Sequence, residues 1–172
     1  RLILMITIII IGINLFDIKI TKTGFFFLNN WLENNLFQYC FLILCFLFII
    51  NGANLVDGFN GLLIIHLIII NIILFFIHLE NQNIYFSSLL IGQIFTMFCF
   101  FLFNFPSAKM FMGDSGAYLF GSITALNAIN TSTSYPEITP FFFVTLLFYL
   151  FFEVFFSFSR KIKSKKSPLQ PD

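Results

Sequence analysis

Asn51, Asn54, Asp57 and Asn60 recur at every third position in a stretch bounded by apolar runs. At that spacing they share one face of a helical or 3₁₀ turn. Gly52, Gly58 and Gly61 lie between them, and glycine permits close backbone approach or a positive φ. A row of amides and one carboxylate beside such a backbone suits a phosphorylated or metal-bound ligand. A polar helix cap is the plainer alternative, because Asn and Asp cap helix starts and Gly ends helices. It accounts for one Asp-Gly pair but not for four polar residues in register. Residues 41–50 and 63–79 on either side are almost wholly apolar. Holding a carboxylate and amides near lipid is costly, so the cluster is expected to be functional.

A second polar insertion covers residues 104–116 and contains Asn104, Lys109 and Gly113-Asp114-Ser115-Gly116. The glycines free the backbone around one carboxylate, and the helix expected to follow favours anions at its N-terminus. Taken alone, this run is also compatible with an ordinary turn and cap. His66 and His78 lie in an apolar, helical stretch and are expected to be packed or at an interface rather than catalytic. Cys40, Cys45 and Cys99 lack the paired spacing and companion histidines of a zinc site, and are expected to be small residues buried between helices.

The elements that must position these residues follow from composition. Of 172 residues, 59% are hydrophobic and 10% charged, with 29 Phe. A soluble domain carries about a quarter charged residues. The apolar blocks approach the roughly 20 helical residues needed to cross a bilayer. The expected helices are residues 2–16, 36–50, 62–79, 84–103, 117–130 and 138–158, with a mixed connection at 17–35 holding Trp31 and a basic tail at 159–172. The chain therefore reads as an all-α polytopic membrane protein, with about six transmembrane helices forming a single domain over residues 1–172. By helix parity, both polar insertions, Arg1 and the tail fall on one side. That side carries Arg1, Lys109, Arg160, Lys161, Lys163, Lys165 and Lys166, against Lys19 and Lys22 on the other. The excess of positive charge makes it the cytoplasmic face.

Three separated motifs carry a resemblance. Asn51, Asn54, Asp57-Gly58 and Asn60-Gly61-Leu62 form the first, Asn104 and Pro106 ahead of residues 108–116 the second, and Arg160 with residues 167–172 the third. In this order they resemble the polyprenyl-phosphate N-acetylhexosamine-1-phosphate transferases, which include the initiators of O-antigen and teichoic acid synthesis and the muramoyl-pentapeptide transferase. The resemblance implies a bundle of about ten or eleven helices, of which this chain is a fragment. An Asp-Asp pair before Arg1 and a histidine motif after Asp172 are the missing parts. The fragment alone is expected to be inactive.

The resemblance also implies roles. Asp114 corresponds to a magnesium-binding aspartate, with Mn2+ as an alternative ion, and Asp57 to the acidic residue that supports the metal or the reacting phosphates. Asn51 and Asn54 line the same loop. Asn60 stands where many members have an aspartate facing the uridine. Asn104 falls where an amide bonds the nucleotide and Phe111 where a ring stacks on uracil; Lys109, the basic residue of the same insertion, is a further substrate-binding candidate. The implied partners are a UDP-N-acetylhexosamine, undecaprenyl phosphate and membrane lipid, with no nucleic acid and with homodimerisation left open. The implied place is the bacterial inner (plasma) membrane, with the site on the cytoplasmic side. The implied product starts a lipopolysaccharide or cell-wall polymer. A secondary transporter, which also places Asn, Asp and Gly in broken helices, is the rival class.

Overall fold

A computed structural model describes residues 2–20, 22–107 and 109–164. Arg1 and the tail from Lys165, including the third motif beyond Arg160, lie outside the described residues. Among the described residues eight helices follow in order: α1 (Leu2–Leu15), α2 (Phe26–Leu32), α3 (Asn35–Val56), α4 (Leu62–Glu80), α5 (Ile84–Asn104), α6 (Gly113–Ser134), α7 (Pro140–Leu146) and α8 (Phe148–Lys163).

Local chemistry explains several of the helix starts. Asn34 caps α3 by accepting the Leu36 amide at 3.0 Å, and Asn83 caps α5 by accepting the Phe86 amide at 3.2 Å. Both side chains satisfy an amide that the helix itself leaves unpaired. Gly61 starts α4 at φ 77°. A Cβ there would lie 3.1 Å from Phe105, so both conformation and space call for glycine. Pro140 occupies the first turn of α7, where no amide is lost to the helix ladder.

α3 packs on α6 and α8, and α4 packs on α5 and α6, so α6 lies between α3 and α4. The core is aliphatic: Leu42, Ile49 and Ala53 of α3, Leu63, Leu67 and Leu74 of α4, Leu90 and Met97 of α5, Ala117 and Ala125 of α6, and Leu150 of α8. The outside is apolar too. Leu44, Ile69, Phe76, Phe95 and Leu102 are exposed. A soluble monomer does not display apolar side chains on that scale, and a helix in lipid does.

Several expectations change. Trp31 belongs to a short helix, α2, and its exposed ring meets Phe37 edge-on at 5.4 Å. α3 continues to Val56, so Asn51 and Asn54 are helical. α6 begins at Gly113 and ends at Ser134, which shortens both neighbouring loops. The last expected helix is broken: α7 and α8 meet at 61°. The break lies at Leu147, whose φ of −96° and ψ of 3° leave the helical region. Cys40 is exposed rather than buried, because it sits on the outer face of α3; Cys45 and Cys99 are half-buried, and all three are free thiols.

Among the described residues three helices, α3, α4 and α5, are long and apolar enough to cross a membrane, or four spans if α7 with α8 counts as one. α1 is a shorter apolar helix. α6 has the length, at 22 residues, but carries Thr124, Asn127, Asn130, Thr131 and Thr133. The count of about six spans therefore exceeds what length and composition alone support.

Candidate active site

The C-terminal ends of α3 and α5 and the N-terminal ends of α4 and α6 meet at one end of the bundle, and with them the two polar insertions. The decisive contact is between Asn54 and Asp114, sixty positions apart: the Asn54 carboxamide donates to the Asp114 carboxylate at 3.0 Å. Asp114 is exposed in the first turn of α6, where the helix dipole favours negative charge. Asp57 is the C-cap of α3 and half-buried. Burial raises its carboxyl above the ordinary value; the Gly113 amide opposes this by hydrogen bonding, and the Asp114 charge adds to it. Each of these effects acts on the charged form. Two carboxylates from separate motifs therefore stand close enough to feel one another.

The loops bearing them are tied by Asn104. It is 6% exposed; its oxygen accepts the Gly61 amide at 2.6 Å and its nitrogen donates to the Met110 carbonyl at 2.7 Å. The Lys109 amide closes the same loop on the Phe103 carbonyl at 3.0 Å. Buried backbone groups need such partners, and a carboxamide supplies a donor and an acceptor together. Asn104 is thus engaged as a brace between the two insertions.

The other expected site residues divide. Asn60 is exposed and reaches the Pro106 carbonyl only at 3.5 Å. Lys109 and Phe111 are exposed on the second insertion, Phe111 by 75%. Asn51 stands apart: its carboxamide donates to the Leu47 carbonyl of its own helix at 2.7 Å. The Gly113 amide beside Asp57 was not foreseen from the sequence. Its only signal was that a glycine precedes the second aspartate.

Oxygen donors from two carboxylates are what magnesium takes, completing its shell with phosphate oxygens and water. Among the described residues there is no group of three or more His, Cys, Asp or Glu that could form a closed metal cage. The donor set thus fits a metal shared with an anionic substrate better than a structural zinc.

Comparison with known proteins decides the family. The profile described as "Glycosyl transferase family 4" matches residues 1–132. The chain belongs to this family. As a family member it is 33% identical over 135 residues to the undecaprenyl-phosphate alpha-N-acetylglucosaminyl 1-phosphate transferase of Thermotoga maritima, covering 77% of this chain and 39% of that protein. It is 34% identical over 95 residues to the phospho-N-acetylmuramoyl-pentapeptide-transferase of Streptococcus sanguinis, covering 55% of this chain and 29% of that protein. Over 111 residues it is 34% identical to the enzyme of that name from Pelagibacter ubique, covering 55% and 30%. The chain thus spans well under half the length of these relatives. No solved structure matches it.

Proposed function

We propose that the protein transfers an N-acetylhexosamine 1-phosphate from a UDP-sugar to undecaprenyl phosphate, releasing UMP and starting a cell-surface polysaccharide. The proposed setting is the bacterial plasma membrane, with the site on the cytoplasmic side, as the distribution of Lys and Arg supports. The observation that carries this reading is the meeting of Asn54, Asp57 and Asp114 at one end of the bundle.

In this reading an oxygen of the lipid phosphate attacks the β-phosphorus of the UDP-sugar. The bond from that phosphorus to the bridging oxygen breaks, and UMP leaves with the oxygen. The attacking phosphate has a second pKa of about 6 and is largely ionised at neutral pH, so no strong protein base is required. Mg2+, held by Asp114 and Asp57 when bound, would supply positive charge between two anionic reactants.

The chain's own residues orient the reaction. Asn54 holds the Asp114 carboxylate through its hydrogen bond. The Gly113 amide keeps charge on Asp57 against the pull of burial. Asn104 holds the two loops at a fixed separation, and its remaining lone pair and N–H leave it capacity for the nucleotide. Lys109 and Phe111, exposed on the second loop, provide a cation for phosphate and a ring for uracil. Asn60 is assigned to the uridine side, and Asn51 supports the end of α3 from within the helix.

The test is UMP release by membranes expressing the full-length protein, given undecaprenyl phosphate, magnesium and a panel of UDP-N-acetylhexosamines. Magnesium-dependent release with one sugar, inhibited by UMP, is the expected result. No release from correctly inserted protein overturns the reading. Solute flux without a product would instead point to a transporter, although Asn54, Asp57 and Asp114 all lie at helix ends rather than in mid-helix breaks.

A further inference from the structure

Away from this site, α4, α5 and α6 are joined by a chain of polar side chains, buried except for the half-buried Gln93, that the proposed reaction does not use. Asn71 donates to the Leu67 carbonyl of its own helix at 2.8 Å and to the Thr124 hydroxyl at 3.1 Å. Asn127 donates to the Asn71 oxygen at 2.9 Å and to the Gln93 oxygen at 2.6 Å. Both Nδ2 hydrogens of each asparagine are therefore spent. One turn further along α6, Thr131 donates to the Asn127 carbonyl at 2.7 Å and meets His78 Nε2 at 2.9 Å. The hydroxyl hydrogen of Thr131 is already given, so His78 Nε2 carries the proton. His78 Nδ1 is then the acceptor for the Tyr135 hydroxyl, 3.0 Å away.

The opposite face of α6 is smooth. Gly121 faces α3, where a Cβ would come within 2.9 Å of the Ala53 Cβ. Ala117 and Ala125, four residues to either side and fully buried, continue the same face. Small residues allow close approach, but at four-residue spacing they permit it in more than one axial position. A slide of one turn, about 5.4 Å, brings Ala117 or Ala125 to the place of Gly121, where the new Cβ meets that of Ala53 and α3 has to give way slightly, a local adjustment that leaves the rest of the small-residue face in contact. The same slide would put Phe120 or Ala128 opposite Asn71 in place of Thr124. Neither side chain accepts a hydrogen bond, and Asp114 would move away from Asn54 by the same distance.

We propose that the hydrogen-bonded ladder of Asn71, Gln93, Thr124 and Asn127 locks the axial register of α6 and so positions Asp114 against Asn54. Single buried polar residues fix register in this way between other paired helices. Its consequence for turnover rests on the transferase reading above; the register itself does not.

The test uses the full-length protein in membranes, with Cys40, Cys45 and Cys99 replaced by Ala. Asn54→Cys is combined with Asp114→Cys or with Tyr118→Cys, one turn along α6, and disulfide yield after oxidation is measured. With the ladder intact, the 54/114 pair is expected to cross-link and the 54/118 pair to yield at least several-fold less. Adding Asn71→Leu with Asn127→Leu should lower the 54/114 yield several-fold in the inserted protein. An unchanged yield overturns the proposal. Should that double replacement prevent insertion, Thr124→Val and Thr124→Ser decide. Val keeps the shape and loses the hydroxyl, so it should lower the 54/114 yield while Ser retains it, and equal yields for the two overturn the lock. A merely stabilising ladder would reduce the amount of folded protein without altering the yield per folded molecule. With positions 54 and 114 native, Thr124→Val should lower kcat for UMP release several-fold with KM little changed, and Ser should restore it. If cross-linking shifts as expected but the parent protein releases no UMP, the lock stands and the transferase reading falls.

Discussion

Two polar regions of this molecule are built from much the same residue types and are in opposite states. In the ladder, Asn71, Thr124, Asn127, Thr131 and His78 are buried, and the hydrogen bonds close on one another within the protein. At the end of the bundle, Asp57 and Asp114 lie near each other, half-buried and exposed, with a carboxamide and a backbone amide as partners. A closed network rigidifies a core. The Asp114 charge disfavours the charged form of Asp57, and a substrate-bound metal would favour it. The difference teaches that burial, rather than polarity itself, separates the residues that hold the bundle from those that would act on a ligand.

The largest effect should come from Asp114→Asn. Loss of this carboxylate is expected to reduce UMP release to background while insertion persists, as read by product assay and by membrane fractionation. Wild-type turnover in that variant would remove Asp114 from the mechanism.

Asp57→Asn should also lose at least about a hundredfold in turnover, in the range found when a group stabilising transition-state charge is removed. Its stability should move the other way. The folded protein raises the Asp57 pKa, so folding favours the protonated acid. That contribution is complete below the ordinary carboxylate value and is lost as pH rises through the folded one. The Asn variant, which never ionises, should therefore match the wild type at low pH and gain relative to it toward neutrality. Thermal unfolding in detergent across that range provides the measurement, and a gain at low pH only would contradict the sign.

In the ladder, removing a polar group should destabilise. Asn127→Leu leaves Asn71 and Gln93 without a donor and is expected to cost about 1–2 kcal/mol, between the figures for an unsatisfied buried group and for an interhelical hydrogen bond in a membrane. A stabilised Asn127→Leu protein would erase the contrast drawn here. The smallest effect belongs to Asn60→Ala. Its hydrogen bond to the Pro106 carbonyl, at 3.5 Å, is near the limit of hydrogen bonding, so unfolding should shift by less than about 0.5 kcal/mol, the usual range for surface changes.

The site was legible in the sequence because its residues interrupt long apolar runs: Asp57 among three asparagines, Asp114 between two glycines. Their meeting was legible as well, since helix parity places both insertions on one side. The ladder was not, because Asn71 is a lone polar letter among isoleucines and its partners lie more than fifty positions away. Thr124, Asn127 and Thr131 do fall on one stripe of α6, and that is the signal that could have revealed them. The break at Leu147 has neither proline nor glycine to announce it. The short α2 was hidden in a mixed segment whose composition is that of a loop.

The composition of α6 also bears on how the bundle is made. α4 and α5 form a hairpin closed at Gln82 and Asn83, with the Asn83 amide on the His78 carbonyl at 2.9 Å, and each is apolar enough to enter a bilayer alone. α6 carries its amides and hydroxyls into the same layer, and Thr124 and Asn127 find side-chain partners on that hairpin. Insertion should therefore be sequential: the hairpin is the template, and α6 partitions into the membrane as its third strand of polar pairing rather than as an independent span.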